Sequence, residues 1–319
     1  MSKNIFHLEN LQIIEISGKD SKKFLQGLIT NDINKINGSN IIFTCLLNSN
    51  SRFFCEFFIC EIADENQKNE TKILLICAKI FGFELLKKLN FFRLRSEVKI
   101  ILNQDLQVLY SFDADDLKQF KVNVFDDPRN KKMGYFGIIN NEILQQNIDD
   151  ATLSSIDNYH LRRIQNKICE GEFDLICDKS FIQEFDYDSL SAIDYQKGCY
   201  IGQELIARTH HRGEIRKKIF YLEFALENFN PPSNIDLSLP NLLGHVDNLF
   251  DLTLNNITCG KILSCVFSKN KSNIFHFYAL AQIKIDENFV SYRNNLPNLF
   301  LENLNKDLKI NNNSVILIN

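Results

Sequence analysis

The apolar residues of the N-terminal part fall into short strand-length runs, and this limits the fold more than any other feature. Leu11–Ile16, Thr44–Leu47, Arg52–Ile62, Thr71–Ala78, Ser96–Leu102, Leu106–Phe112 and Lys121–Phe125 all read as strands. Helical stretches are expected at Asp20–Leu28, after a Ser17-Gly18 turn with Asp20 as N-cap, at Phe81–Asn90 and across Ile148–Cys169. This order predicts an α+β fold with largely antiparallel sheets. No GxGxxG or P-loop is present, and the order is not that of a doubly wound fold. From Arg216 onward the texture changes to short strands separated by Asn, Ser and Pro, with Pro231–Asn234 as a connector. The 319 residues therefore divide into a body, 1–215, and a C-terminal β-barrel, 216–319.

With only 12 Gly and 5 Pro, each glycine is informative, and three of them, Gly198, Gly202 and Gly213, crowd one segment. That segment, Asp194 to Lys218, reads DYQKGCYIGQELIARTHHRGEIRKK. Between Gln196 and Lys218 six cations face two carboxylates, in a chain of net charge −4. A basic island in an acidic protein suggests an anionic ligand or partner. A solvated helix end rich in cations is the plainer reading. Cys199 lies two residues after Lys197 and just before an expected helix, Gly202–Arg208. That position favours a reactive thiolate, suited to nucleophilic attack or transient metal ligation. Glu204 and Arg208 stand four apart and are expected to pair as scaffold.

The other eight Cys mostly sit among Ile, Leu and Phe and read as buried hydrophobes, and no CxxC appears, so no resident metal is expected. Free thiols point to a reducing compartment, read as the cytoplasm. No secretory signal is visible, and the longest apolar run, Ile73–Leu86, is broken by Lys79 and Glu84 and is too short to span a bilayer. No membrane partner is expected.

The motif KGCYIGQE followed by Arg208 resembles the signature of the YgfZ/GcvT-like folate-binding family, within the aminomethyltransferase-like superfamily. The likeness runs through nearly the whole chain. Ile16-Ser-Gly-Lys-Asp20, Phe24-Leu-Gln-Gly27 and Thr30-Asn-Asp32 resemble its N-terminal pattern. Asp127-Pro-Arg129, Tyr159 with Arg163-Ile164, and Gly260-Lys-Ile-Leu-Ser264 resemble its later elements. The chain departs from the pattern where Lys167 and Ser51 replace Gly, Ile182 replaces Pro, Tyr135-Phe136 follow Gly134, and Trp is absent.

The resemblance implies an aminomethyltransferase-like body of two intertwined α+β subdomains, a C-terminal barrel and a tetrahydrofolate ligand. It implies an accessory role in maturing or repairing iron–sulfur proteins, including tRNA-modifying enzymes. The partners would be the iron–sulfur assembly machinery and its clients. It singles out Cys199 as the active residue within Lys197, Gly198, Tyr200, Gly202, Gln203 and Glu204. Tyr159 and Leu11 would face the pterin, and Arg208 and Arg212 the anionic tail. Two other readings compete: an aminomethyltransferase of glycine cleavage, whose motif lacks this Cys arrangement, and a direct tRNA-binding module. The latter lacks any RRM or KH signature, so direct nucleic-acid binding is not expected.

Overall fold

The computed structural model describes residues 4–63, 71–147, 153–227, 241–243, 252–254, 257–270, 274–285, 308–310, 313–314 and 316–318. In chain order the elements are β1 (Ile5–His7), β2 (Leu11–Ser17), α1 (Ser21–Gln26), β3 (Ile41–Leu47), β4 (Phe53–Ala63), β5 (Thr71–Ala78) and α2 (Lys79–Arg93). Next come β6 (Lys99–Asn103), β7 (Leu106–Ser111), α3 (Ala114–Lys118), β8 (Asn123–Asp126), β9 (Tyr135–Asn140) and α4 (Asn141–Asn147). They are followed by α5 (Ile156–Gln165), α6 (Gly171–Asp174), α7 (Gln203–Arg212) and β10 (Lys217–Glu227). The chain ends with β11 (Asn241–Leu243), β12 (Leu252–Leu254), β13 (Ile257–Lys269), β14 (Ile274–Lys284), β15 (Leu308–Ile310), β16 (Asn313–Ser314) and β17 (Ile316–Ile318). Two compact units result: 1–156 with 176–181 and 187–211, and 157–175 with 182–186 and 212–319.

The first unit holds two antiparallel sheets, ordered β3-β4-β5-β2-β6 and β1-β7-β9-β8. β4 is buried along almost its whole length because both of its faces are covered. Phe57 and Ile59 join the core beneath α1 and α2, with Leu25, Leu28, Leu85 and Leu89. Phe58 points the other way and meets Phe136 of the smaller sheet, ring centroids 4.5 Å apart. A strand buried on both faces reads as a continuous apolar run, which accounts for the Phe-rich texture of FFCEFFIC. Asp127-Pro-Arg129 supports this layer. Asp127 accepts from Arg129 Nε and Nη2 at 3.0 and 2.8 Å and from the Tyr110 hydroxyl at 3.0 Å, and the guanidinium lies 4.9 Å from the Phe58 ring.

The Ser17-Gly18 turn forms as expected, but Asp20 does not cap α1. Its side chain makes no cap bond; Oδ2 accepts from the Glu97 amide at 2.8 Å instead. Gly18, at φ +111°, lies where a Cβ would come within 2.3 Å of the Glu97 carbonyl oxygen.

In the second unit the sheet is ordered β16-β15-β12-β13-β14-β10-β17, with β11 also on β13. This half-barrel sheet is what the described residues show of the expected C-terminal barrel; its two end strands, β16 on β15 and β17 on β10, lie two residues apart in the chain. The Pro231–Asn234 connector lies outside the described residues.

The long helical expectation at Ile148–Cys169 shortens to α5, and 148–152 lie outside the described residues. α5 ends in a Schellman motif, with the Lys167 amide donating to Ile164 O at 3.0 Å and the Ile168 amide to Arg163 O at 2.9 Å. Lys167 therefore occupies the left-handed position, at φ 58°, where a Cβ is disfavoured. Lys167→Gly is expected to raise the unfolding free energy by about 1 kcal/mol in urea titration. No gain would mean that this backbone carries no strain.

Candidate functional site

Two motifs of the first unit, one at residues 24–32 and one at 194–204, are fastened to each other. α1 ends near Gly27, and the chain then turns without regular structure to Asp32. Gln26 secures that turn, donating to Asp32 Oδ1 and accepting from the Ile33 amide, both at 3.0 Å. Thr30 Oγ1 donates to Ala192 O at 2.7 Å, and Asn31 Nδ2 donates to Phe43 O and Ser191 O at 2.8 Å. Asp194 opens the second motif. Its carboxylate accepts from the amides of Gln196 and Lys197 and pairs with Lys35 at 2.8 Å.

Lys197 is the central bolt. Its ammonium donates to the carbonyls of Gln26, Ile29 and Asn31 at 2.8, 2.6 and 2.8 Å. Burial lowers it to about 8, against the pull of Asp32 and Asp194, so at neutral pH it keeps three protons for three acceptors. The same nitrogen lies 5.0 Å from the Tyr200 ring. Lys197 is thus turned into the protein, gripping the end of α1, and the expected cation beside the Cys199 thiol is instead a structural clamp.

Gly202 shapes the next step. At φ +81° it presses on the 48–51 turn, where a Cβ would meet Asn48 O at 2.5 Å and Leu47 Cβ at 2.9 Å. Ser51, itself at φ 60°, accepts from the Leu205 amide in the first turn of α7 at 3.4 Å. The departure from Gly at this position therefore supplies a helix cap. Gln203 accepts from the Tyr200 amide at 3.1 Å, and the Ile201 amide donates to Gly27 O at 3.2 Å.

Between these anchors Gly198 and Cys199 stand exposed. A Cβ on Gly198 would meet nothing within 4 Å, so none of the described residues demands glycine there. Of the nine cysteines only Cys199 is exposed. Burial pushes the thiols of Cys45, Cys55, Cys60, Cys77 and Cys265 up, Cys60 and Cys77 to about 12, which leaves them protonated and inert.

α7 turns Ile206 inward and leaves Glu204, Arg208, His210, His211 and Arg212 exposed. The expected Glu204–Arg208 pair does not form: among the described residues no ion pair joins them, because both side chains extend into solvent. The His210 ring stacks on Tyr195 at 3.6 Å, and the Tyr195 hydroxyl donates to Asp188. Sequence reading missed this stack, although an aromatic preceding a His pair was visible. Leu11 is half-buried at the start of β2, opposite Ala78.

The second unit gathers its motif residues into a buried polar cluster. Arg163 is fully buried; Nη1 donates to Asp174 Oδ2 at 2.9 Å and Ile168 O at 3.1 Å, Nη2 to Ser264 Oγ at 3.2 Å, and Nε to His160 Nδ1 at 3.1 Å. Ser264 donates to Asp174 Oδ1, and a register shift in β13 beside it re-aims the side chain. The Tyr159 hydroxyl donates to Glu170, and the residue is 4% exposed, so it stands inside this cluster rather than as an open aromatic wall. Glu170 and Asp174 were not singled out from sequence.

Comparisons with known proteins define a class first. The chain matches the glycine cleavage system aminomethyltransferase T of Bartonella henselae with TM-score 0.62 and 12% identity, over 92% of this chain and 80% of that one. This establishes the aminomethyltransferase-like α+β fold with antiparallel sheets. Several curated relatives share one name. A protein named iron–sulfur cluster assembly factor IBA57 homolog, mitochondrial, from Mycosarcoma maydis is 32% identical over 234 residues, 70% of this chain and 58% of that protein. Counterparts of the same name from Neurospora crassa and Dictyostelium discoideum are 30% and 26% identical, over 66% and 74% of this chain and 52% and 66% of theirs. The chain thus spans between about half and two thirds of the length of these relatives. No family model matches the chain. The expectation of a cytoplasmic protein is corrected: these relatives are named mitochondrial. Free cysteines separate reducing from oxidising compartments and do not distinguish one reducing compartment from another.

Proposed function

We propose that this chain serves the maturation of iron–sulfur proteins in mitochondria and that Cys199 is the group through which it acts. One observation carries the reading: the only exposed cysteine stands on a loop clamped at both ends, by Lys197 on one side and Gly202 on the other. A thiol mounted in this way meets a partner or its iron in a fixed position without first paying to order the loop. The names of the relatives and the aminomethyltransferase-like fold support the same reading. The partners are the iron–sulfur assembly machinery and client enzymes, tRNA-modifying enzymes among them.

A reduced folate is the ligand assigned to the fold. Arg208 and Arg212, one helical turn apart and exposed on α7, suit its anionic glutamate tail. Leu11, half-buried at the start of β2, is proposed for the pterin.

The test is complementation. In a strain lacking the protein, the wild-type chain is expected to restore iron–sulfur enzyme activity. Cys199→Ser is expected to accumulate folded, with unchanged thermal unfolding, and to restore none. Cys177→Ser, which alters a half-buried thiol, should restore fully. Rescue by Cys199→Ser would remove the thiol from the function; failure of the wild type would remove the maturation role itself.

A further inference from the structure

α2 carries apolar side chains on two faces. Gly82, Leu85 and Leu89 turn inward. Ile80, Phe83, Phe91 and, just past the helix, Leu94 turn outward, 67%, 74%, 74% and 86% exposed. Their spacing places them along one stripe roughly 20 Å long at 1.5 Å per residue. Leu94 is the most exposed of the large apolar residues, yet its backbone is held at φ 45°, ψ −110°. Strained backbone that aims a leucine at water is a mark of function.

The charge around the stripe is mainly positive. From Lys79 to Arg95 there are five cations, Lys79, Lys87, Lys88, Arg93 and Arg95, against Glu84 alone, in a chain of net charge −4. At the C-terminal end of α2 lies an open cleft of about 830 Å³. Phe24, Leu28, Phe92 and Leu94 line it, together with two cations, Lys23 and Arg95, and one acid, Asp20. Among the described residues neither of these two cations is in an ion pair.

We propose that α2 and this cleft dock the protein on an anionic phospholipid bilayer. The stripe lies in the interface, the cations meet the phosphates, and the cleft takes one headgroup with part of its acyl chain. A second copy of this chain would bring like charges together, and a convex stripe calls for a deformable surface rather than a rigid one. α2 has 15 residues and would lie on a membrane without crossing it, so such docking departs from the expectation of no membrane partner while adding no spanning segment. No described helix is long and apolar enough to cross.

The test is flotation of the 319-residue chain with phosphatidylcholine vesicles, with and without cardiolipin. Binding is expected only with cardiolipin and should fall as salt rises. The double variant Phe83→Ser, Phe91→Ser should weaken it at least about tenfold, and Arg95→Gln about fivefold. All three positions are exposed, and unchanged thermal unfolding checks that the fold is kept. The proposal fails if cardiolipin vesicles do not bind, if neutral vesicles bind equally, or if the double variant binds like wild type. It fails also if sedimentation shows a dimer that the double variant dissociates, which would make the stripe a self-interface.

Discussion

Arg163→Leu is expected to lower the unfolding free energy of the chain by about 3–5 kcal/mol, the largest stability effect of any single substitution considered. The reason is what the substitution leaves behind. Asp174 and Glu170 are both buried, and Arg163 is the cation that approaches each of them, at 2.9 and 3.5 Å. Without it two carboxylates stay in a low-dielectric interior, with Ser264, the Tyr159 hydroxyl and the Glu170 amide among their remaining partners. The Ile168 carbonyl and the Phe173 ring, 5.4 Å from the guanidinium carbon, lose their partner too. Arg163→Lys should be intermediate, since it restores the charge but not the fork that reaches Asp174, Ser264 and His160 together. Urea titration followed by circular dichroism measures all three proteins. A loss below about 1 kcal/mol for the leucine variant would show that the carboxylates adapt by protonation or hydration, and the cluster would not be a structural keystone.

This cluster also shows where sequence reading stops. Tyr159 and Arg163 were visible as a motif and Ser264 as part of another. Asp174, which joins them, sits in GEFD and looks like an ordinary acid on a short helix. It meets Arg163 from eleven positions away and Ser264 from ninety, and no local pattern encodes such a meeting. Lys197 failed in a different way. Its residue type and place in the motif were plain, but its direction depends on carbonyls more than 160 positions earlier, so an expected surface cation became a buried clamp. α2 was legible as a helix over 81–90, yet apolar residues on both its faces concealed which side meets water.

Other features were local and could be read directly. The strand Thr71–Ala78 is observed with the same ends: residues 73–78 are an unbroken apolar run, and Lys79 opens α2. Gly202 stood out because glycine is scarce here, and the structure supplies two reasons for it, a positive φ and a backbone oxygen 2.5 Å from any Cβ. Gly198 stood out equally, and the fold supplies no reason for it. Its open space lies next to Cys199, at the place where a partner rather than the chain itself would constrain the residue.

His160 should make the protein acid-sensitive in a window that its burial defines. Burial first, and the neighbouring Arg163 charge second, push it from the usual 6.5 down to about 4. At neutral pH the ring is uncharged, and Nδ1 is free to accept from Arg163 Nε at 3.1 Å. Protonation removes that acceptor and sets a second cation against the guanidinium. The sign follows from proton counting. Between about pH 6.5 and 4 the unfolded chain binds a proton that the folded chain refuses, so acidification favours the unfolded state. A displacement of this size corresponds to about 3 kcal/mol lost across the window. His160→Gln keeps an acceptor for Arg163 and cannot take up the proton. The stability difference between wild type and this variant, measured by urea titration at a series of pH values, should therefore shift by about 3 kcal/mol from pH 7 to pH 4. Carboxylates elsewhere titrate in both proteins and cancel in that difference. Parallel pH profiles would mean that His160 takes up its proton at the same pH in the folded and the unfolded chain, with Glu170, which draws its proton on, offsetting burial and Arg163.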